Sequence, residues 1–482
     1  MSSFETKVNS LVARVVRNNL WRQSEAFNLI PSETTPSLLV KLCEISDPSG
    51  RYAEHRTMKG EEVYFYQGTD FIRDVELEAQ KELQEFFACT DVELRPISGQ
   101  MANEVVFKGM VKYVNRGKPQ EAVSRRLRLV LNNDLTKGGH LSSQPMGALF
   151  NLVEEDPQTG KERVVHFPVL KENPYRADLE ALAKLLEQNK PELVVFGKSM
   201  FIYPEPVKFV ADLVRDWQER PVLMFDMAHV LGLYGAFQSP FEEGADIVTG
   251  STHKTFFGPQ RGVIAARLSN HDSLRQLWVD IKGRAFPGST SNHHLGTLVG
   301  LLMAAYEMNA FKEKYQAQVR ANAKAFARAL KSYGLSVEGD ERDGFTETHQ
   351  VLLRVSAYGS GQEVARRLED NNIIANYQAL PDDESFLRSS GIRLGVQEMT
   401  RFGMEAKDFD TLAGYMAEVI KHKRAVKEEV SRFRKNFLKM KYCLPEEKAI
   451  PLAAKIWASI FPRPDFTQAF LESLAKVIGG DF

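Results

Sequence analysis

A lysine and an aspartate, each at the C-terminal end of a short apolar run, carry the most specific chemistry in this chain. Asp246-Ile247-Val248-Thr249-Gly250-Ser251 delivers Thr252-His253-Lys254-Thr255 into a small-residue loop, and Val222-Leu223-Met224-Phe225 leads to Asp226-Met227-Ala228-His229. A lysine so placed is a candidate to hold an aldehyde as an imine. A carboxylate at a strand end is suited to keeping a pyridine nitrogen protonated. Together they meet the covalent and electronic needs of pyridoxal phosphate. Singly each is weak, because a lysine after a strand is usually a solvated surface residue and a strand-end Asp often caps a helix. Both stand where open α/β sheets bind ligands, and that favours the cofactor.

Three further segments suit such a site. Pro96-Ile97-Ser98-Gly99-Gln100-Met101-Ala102-Asn103 opens a helix whose free N–H groups and positive dipole end match a phosphate, although Ser-Gly before a helix is commonly only a cap. Ser251 and His253, beside the lysine, would complete that cradle. Lys137-Gly138-Gly139-His140 places an imidazole after two glycines, either as a face for the pyridine ring or as an ordinary loop residue. Ser390-Gly391-Ile392-Arg393-Leu394-Gly395 sets one arginine among apolar residues. A buried arginine needs an acid, and a substrate carboxylate held by the guanidinium fork is the functional form of that pairing.

The elements that must position these residues alternate. Apolar spacing predicts helices over 74–88, 99–115, 176–188 and 205–218, and strands over 127–131, 192–196, 221–225 and 246–249. That alternation implies an α/β fold with a mainly parallel sheet covered on both faces. Residues 1 to about 30 read as a helix with Val8, Leu11, Val12, Val15 and Val16 on one stripe. A long helix over 295–333 leads to a smaller α+β unit with a strand at 351–355 and a helix at 361–370. The divisions expected are an N-terminal arm 1–37, a large domain 38–310, a small domain 311–425 and a helical extension 426–482.

Lys+Arg 62 against Asp+Glu 63 leaves a net charge of -1, which gives no reason to expect nucleic acid or an anionic membrane as partner. No signal pattern opens the chain and no apolar run is long enough to span a bilayer, so a cytoplasmic protein is expected. Cys43, Cys89 and Cys443 lie far apart in no metal-ligand spacing, and read as free thiols in a reducing compartment.

Leu29 to Ser37, Arg51-Tyr52-Ala53-Glu54, Tyr66-Gln67-Gly68, Ser98-Gly99, Gly138-Gly139-His140, Asp226-Met227-Ala228-His229, Thr252-His253-Lys254-Thr255, Phe286-Pro287-Gly288 and Gly391-Ile392-Arg393 follow in the order and spacing of serine hydroxymethyltransferases. The resemblance covers roughly residues 25–425, and the wording of Gly250 to Gln260 and of Gly395 to Arg401 is similar to the archaeal type, whose members use a modified pterin. It implies a fold-type I pyridoxal phosphate transferase with a seven-stranded sheet, working as a homodimer with shared sites. Lys254 would hold the cofactor, Asp226 would pair with its pyridinium, His140 would stack on the ring, and His229 and Ser199 would reach its phenolic oxygen. Ser98, Gly99, Gln100, Ser251 and His253 would line the cofactor site, with Tyr66 and Gly288 contributed to the phosphate by the partner chain. Arg393, with Ser32 and Tyr52, would take the substrate carboxylate, and Glu54 would be the acid/base at the substrate hydroxyl.

Several positions depart from the pattern. The loop between Glu54 and Tyr66 is long, His55 stands where glycine is usual, Arg261 follows Gln260 in place of a glycine, and Asn376-Tyr377-Gln378 replaces the Asn-Lys-Asn found near the pterin. These changes bear on the one-carbon acceptor. A pterin-independent threonine aldolase or threonine transaldolase is the second reading, also supported by the wording of Gly344 to Val351. A non-catalytic relative ranks last, since Lys254 and Arg393 are both present.

Overall fold

The computed structural model describes residues 3–117, 124–267 and 272–478. Seven strands form the central sheet: β1 Asp91–Glu93, β2 Val130–Asn132, β3 Val164–His166, β4 Leu193–Phe196, β5 Val222–Asp226, β6 Ile247–Ser251 and β7 Gly262–Ala266. Their order is β1-β7-β6-β5-β4-β2-β3, with β7 running against both neighbours and every other pair parallel. This is the seven-stranded, mainly parallel α/β sheet expected from the sequence.

Alternate side chains of each strand feed opposite layers. Val194, Phe196, Leu223, Phe225 and Val248 enter one core, while Leu193, Val195, Val222, Met224 and Ile247 enter the other. Both faces are therefore apolar, which is why these strands read as unbroken hydrophobic runs. The carboxyl ends of β5 and β6 present Asp226 and Ser251.

Two expectations shift. The strand predicted over 127–131 pairs only from Val130, with Leu127 making a single bridge to Val153. The N-terminal helix expected to reach about residue 30 ends at Leu20, because a π turn over Trp21–Glu25 redirects the chain and Phe27–Asn28 pairs in parallel with Ile373–Ile374. None of that helix is buried, and Val8, Leu11, Val12 and Val15 face solvent.

The long helix Leu295–Ser332 crosses position 310 and packs against helices Leu38–Glu44, Asp70–Phe87 and Ala406–His422. Beyond it a four-stranded antiparallel sheet is built from Ser336–Val337, Gln350–Arg354, Gly391–Gly395 and Asn376–Gln378, in that spatial order, which places Arg393 between Leu352 and Asn376. Helices Lys427–Arg434, Glu446–Ile460 and Pro464–Ile478 follow the second unit. No helix among the described residues is long and apolar enough to cross a membrane.

Candidate active site

Asp226 ends β5 fully enclosed. Its Oδ2 receives His140 Nδ1 at 2.5 Å and Asn103 Nδ2 at 2.8 Å, and its Oδ1 receives the Ala228 amide at 2.9 Å. Burial by itself would raise the carboxyl's pKa, but His140, Ala228 and Asn103 outweigh it and hold the group below the usual carboxylate range. The acid is thus kept ionised in a site where carboxylates ordinarily neutralise.

Lys254 follows β6 and feels Asp226. Desolvation is the largest influence on its ammonium, Arg393 adds to it, Asp226 opposes it, and the result is a pKa lowered to about 8. Its backbone carbonyl is held by the Thr34 hydroxyl, which ties the loop to the Ser32 segment. A lysine held there with a lowered pKa is suited to nucleophilic chemistry.

His229 is buried with its ring edge-on to His140 at 5.3 Å, and its Nδ1 has no hydrogen-bond partner among the described residues. Desolvation first, then the Lys254 and Arg393 charges, hold it well below the ordinary histidine range, so it is neutral. His253 also carries a buried Nδ1 without a partner, and burial lowers it to about 4. It lines a cavity of about 570 Å³ together with Ser32.

At the start of helix Gly99–Val114, the Ser98 hydroxyl accepts from Met101 N at 3.1 Å, so the cap reading of this serine is correct as far as it goes. The same turn also approaches β6 very closely. A Cβ on Gly99 would lie 2.2 Å from Ser251 Oγ, so only glycine allows Ser98, Gly99 and Ser251 to converge at the helix N-terminus. Gln100 is exposed beside them.

Arg393 is 8% exposed and has no carboxylate partner among the described residues. Its Nη1 donates to the Ser199 carbonyl at 2.8 Å and its Nε to Asn376 Oδ1 at 3.3 Å, while burial lowers its pKa to about 10. A buried guanidinium bonded only to neutral acceptors is short of an anion. Ser199 also directs its hydroxyl at the Gly138 and Gly139 carbonyls, 3.3 and 3.4 Å away, which fixes the loop carrying His140.

Tyr52, Glu54, Tyr66 and Gly288 form a separate group. The rings of Tyr52 and Tyr66 lie 5.4 Å apart, and Tyr66 lies close enough to Glu54 for the carboxylate to add to the desolvation that raises its phenol pKa. The Glu54 carbonyl accepts Phe65 N at 3.0 Å, and Phe65 meets Phe286 near Gly288. Tyr52 and Tyr66 are 52% and 42% exposed, and among the described residues no hydrogen bond, ion pair or ring contact joins this group to Lys254. The long loop between Glu54 and Tyr66 is a hairpin, His55–Met58 with Glu61–Tyr64. Its turn residues Lys59 and Gly60 both have positive φ, 53° and 88°, as the tight hairpin turn between right-twisted strands demands.

Two residues at the site had no role assigned from sequence. Asn103, fully buried, donates to Asp226 and to Ser142 Oγ and accepts from Thr249, so it orients the carboxylate. Its place one turn into the helix after Ser98-Gly99 was the available signal. His349, also fully enclosed, bonds the Pro31 carbonyl through Nε2 at 3.1 Å and lies close enough to Arg393 and Lys254 for both to lower it, burial being the larger cause of a value of about 3.

A sequence profile of the family described as serine hydroxymethyltransferase matches residues 6–416. The serine hydroxymethyltransferase of Pyrobaculum aerophilum is 37% identical over 448 residues, covering 92% of this chain and 96% of the relative. That of Staphylothermus marinus is 39% identical over 436 residues, covering 89% and 91%. Among solved structures, L-threonine transaldolase from Pseudomonas fluorescens superimposes with a TM-score of 0.77 at 27% identity, covering 94% of this chain and 99% of that one.

Proposed function

This chain belongs to the serine hydroxymethyltransferase family, and we propose that it interconverts serine and glycine, moving the one-carbon unit to or from a reduced pterin, either tetrahydrofolate or a modified relative. The observation that carries the reading is a buried guanidinium, Arg393, that has no acid among the described residues and lies close to a lysine lowered to about 8 and an aspartate held ionised.

The residues fit pyridoxal phosphate. Lys254 offers a partly neutral amine, Asp226 a buried carboxylate, His229 and His253 unpartnered ring nitrogens, and Ser98, Gly99 and Ser251 a helix N-terminus opened by the absence of a Cβ. Pyridoxal phosphate, when bound, supplies an aldehyde for the substrate amine and a ring that draws electrons away from Cα. Asp226 would pair with the protonated ring nitrogen, and His140, which bonds Asp226 here, would be the aromatic neighbour of the ring. Arg393 would bind the substrate carboxylate as a fork and so orient the substrate at Cα. Glu54 takes up the hydroxyl proton of serine as the Cα–Cβ bond opens, and returns it in the reverse direction.

The amine of Lys254 must be neutral to react with the cofactor aldehyde. Its depressed value predicts that the rate at which pyridoxal phosphate restores visible absorbance to the cofactor-free protein rises with pH and levels off above about 8. An ordinary lysine would keep gaining through the alkaline range to about 10.4. Stopped-flow reconstitution across pH distinguishes the two.

We place Tyr52, Glu54, Tyr66 and Gly288 in the active site of a partner subunit. Phe65 N bonds the Glu54 carbonyl, so Tyr66 and Glu54 travel together, and within one chain nothing described connects them to Lys254. Lys254→Ala and Glu54→Gln proteins, each strongly impaired alone, are expected to regain activity when unfolded together and refolded as mixed dimers. A fully active monomer in light scattering overturns the assignment.

The acceptor separates this reading from the transaldolase one, which the Pseudomonas structure favours. Serine cleavage is expected to require a reduced pterin. Serine and threonine turnover are measured side by side with tetrahydrofolate, with an archaeal-type pterin, and with an aldehyde alone. Rapid threonine–aldehyde exchange with no pterin effect on serine would establish the transaldolase instead.

A further inference from the structure

Beneath the Tyr52–Glu54 segment lies a buried polar cluster that none of the steps above uses. His55, 7% exposed, directs Nδ1 at the Ala53 carbonyl, 3.1 Å away, and stacks on its cross-strand partner Tyr64 at 4.5 Å. A carbonyl only accepts, so Nδ1 carries the proton and Nε2 faces the other way. There it meets Glu76 Oε1 at 3.6 Å, from helix Asp70–Phe87. Among the described residues the second oxygen of Glu76 has no hydrogen-bond partner, and it faces His293 Nε2 at 3.8 Å.

His293 is set by Arg261, whose Nη2 donates to its Nδ1 at 3.0 Å, leaving the Nε2 hydrogen for Glu76. Arg261 also donates to the His294 carbonyl and to Thr297 Oγ1, which pins the entry of the long helix. The neighbouring Asn292 donates to the Arg51 carbonyl at 2.7 Å. The segment carrying Tyr52 and Glu54 is therefore gripped at Arg51 from one side and at Ala53 from the other. Separations of 3.6 and 3.8 Å exceed hydrogen-bond length, so Glu76 packs between the two imidazoles without hydrogen-bonding either, and burial raises its carboxyl's pKa.

We infer that His55, backed by Glu76 and His293, is a positioning residue that holds the backbone of Tyr52–Glu54 so that the Glu54 carboxylate meets the substrate hydroxyl. The inference rests on the acid/base reading of Glu54. A shift of about 1 Å in a reacting group costs on the order of 10²-fold in rate. His55→Ala in the holoenzyme is expected to lower kcat for serine cleavage by about that factor, with serine affinity by spectral titration nearly unchanged because Arg393 is untouched. His55→Asn, whose amide N–H replaces Nδ1–H, should restore most of the rate.

Acting through Glu54, the loss should vanish in the Glu54→Gln background, where adding His55→Ala changes kcat little. Wild-type turnover in His55→Ala, or losses that multiply in the double variant, overturns the inference. If His55→Ala does not fold, Glu76→Ala, which removes the group packed behind His55, is put through the same cycle with the same two outcomes. If Glu54→Gln itself turns over normally, the acid/base reading falls. Amide exchange over 53–66 then decides the positioning: faster exchange at Phe65, whose N–H bonds the Glu54 carbonyl, supports it, and unchanged exchange overturns it.

Discussion

Replacing Lys254 with alanine is expected to lower serine cleavage by at least about 10³-fold, the scale seen when a covalent catalytic group is removed. The side chain lies in the loop after β6, where burial and Arg393 depress its ammonium and Asp226 partly compensates. Among the described residues no other lysine follows β5 or β6 with Asp226 for a neighbour. Alanine removes the amine and leaves the Thr34 bond to the residue 254 carbonyl in place, so the loop should keep its course. The variant should fold with an unchanged melting temperature, lose the visible absorption of the purified protein, and bind pyridoxal phosphate reversibly on dialysis. Retained colour after exhaustive dialysis, or near-normal turnover, would show that another amine holds the cofactor.

Arg393→Ala is expected to weaken serine and glycine binding by about 2–5 kcal/mol, the range for truncating one partner of a buried, hydrogen-bonded charge pair. At 1.4 kcal/mol per tenfold, that is a rise in apparent Kd of about 30-fold to several thousand-fold. Among the described residues this guanidinium bonds neutral acceptors, the Ser199 carbonyl and Asn376 Oδ1. A carboxylate bound there would supply the anion. Removing the arginine also removes a buried charge, so stability should not fall with affinity. Titration with glycine against melting temperature separates the two effects. Unchanged affinity would move the carboxylate site elsewhere, with Arg393 then a structural residue of the second sheet.

The chemistry-bearing residues could be found in the sequence because their signals are local. A strand buried on both faces reads as an unbroken apolar run, so β4, β5 and β6 were visible, and with them Asp226 and Lys254 at their carboxyl ends. The Ser98-Gly99 turn was visible too, because capping is written within four residues. The three-residue strands β1 and β3 and the reversed β7 were not named, since edge or antiparallel pairing depends on neighbours far away in the chain.

What tertiary structure alone decided is which side chains meet. Asn103 reaches Asp226 across 123 positions, and His349 reaches Pro31 across 318. Arg261, which in sequence only replaced a usual glycine, ties Leu94 to the His293–Thr297 segment. His55, likewise an oddity in sequence, is the residue that grips Ala53. The separation of Tyr52, Glu54 and Tyr66 from Lys254 is of the same kind. Residue type and strand period are properties of neighbouring positions, whereas a hydrogen bond or a buried charge contact depends on how the sheet order folds distant segments against one another.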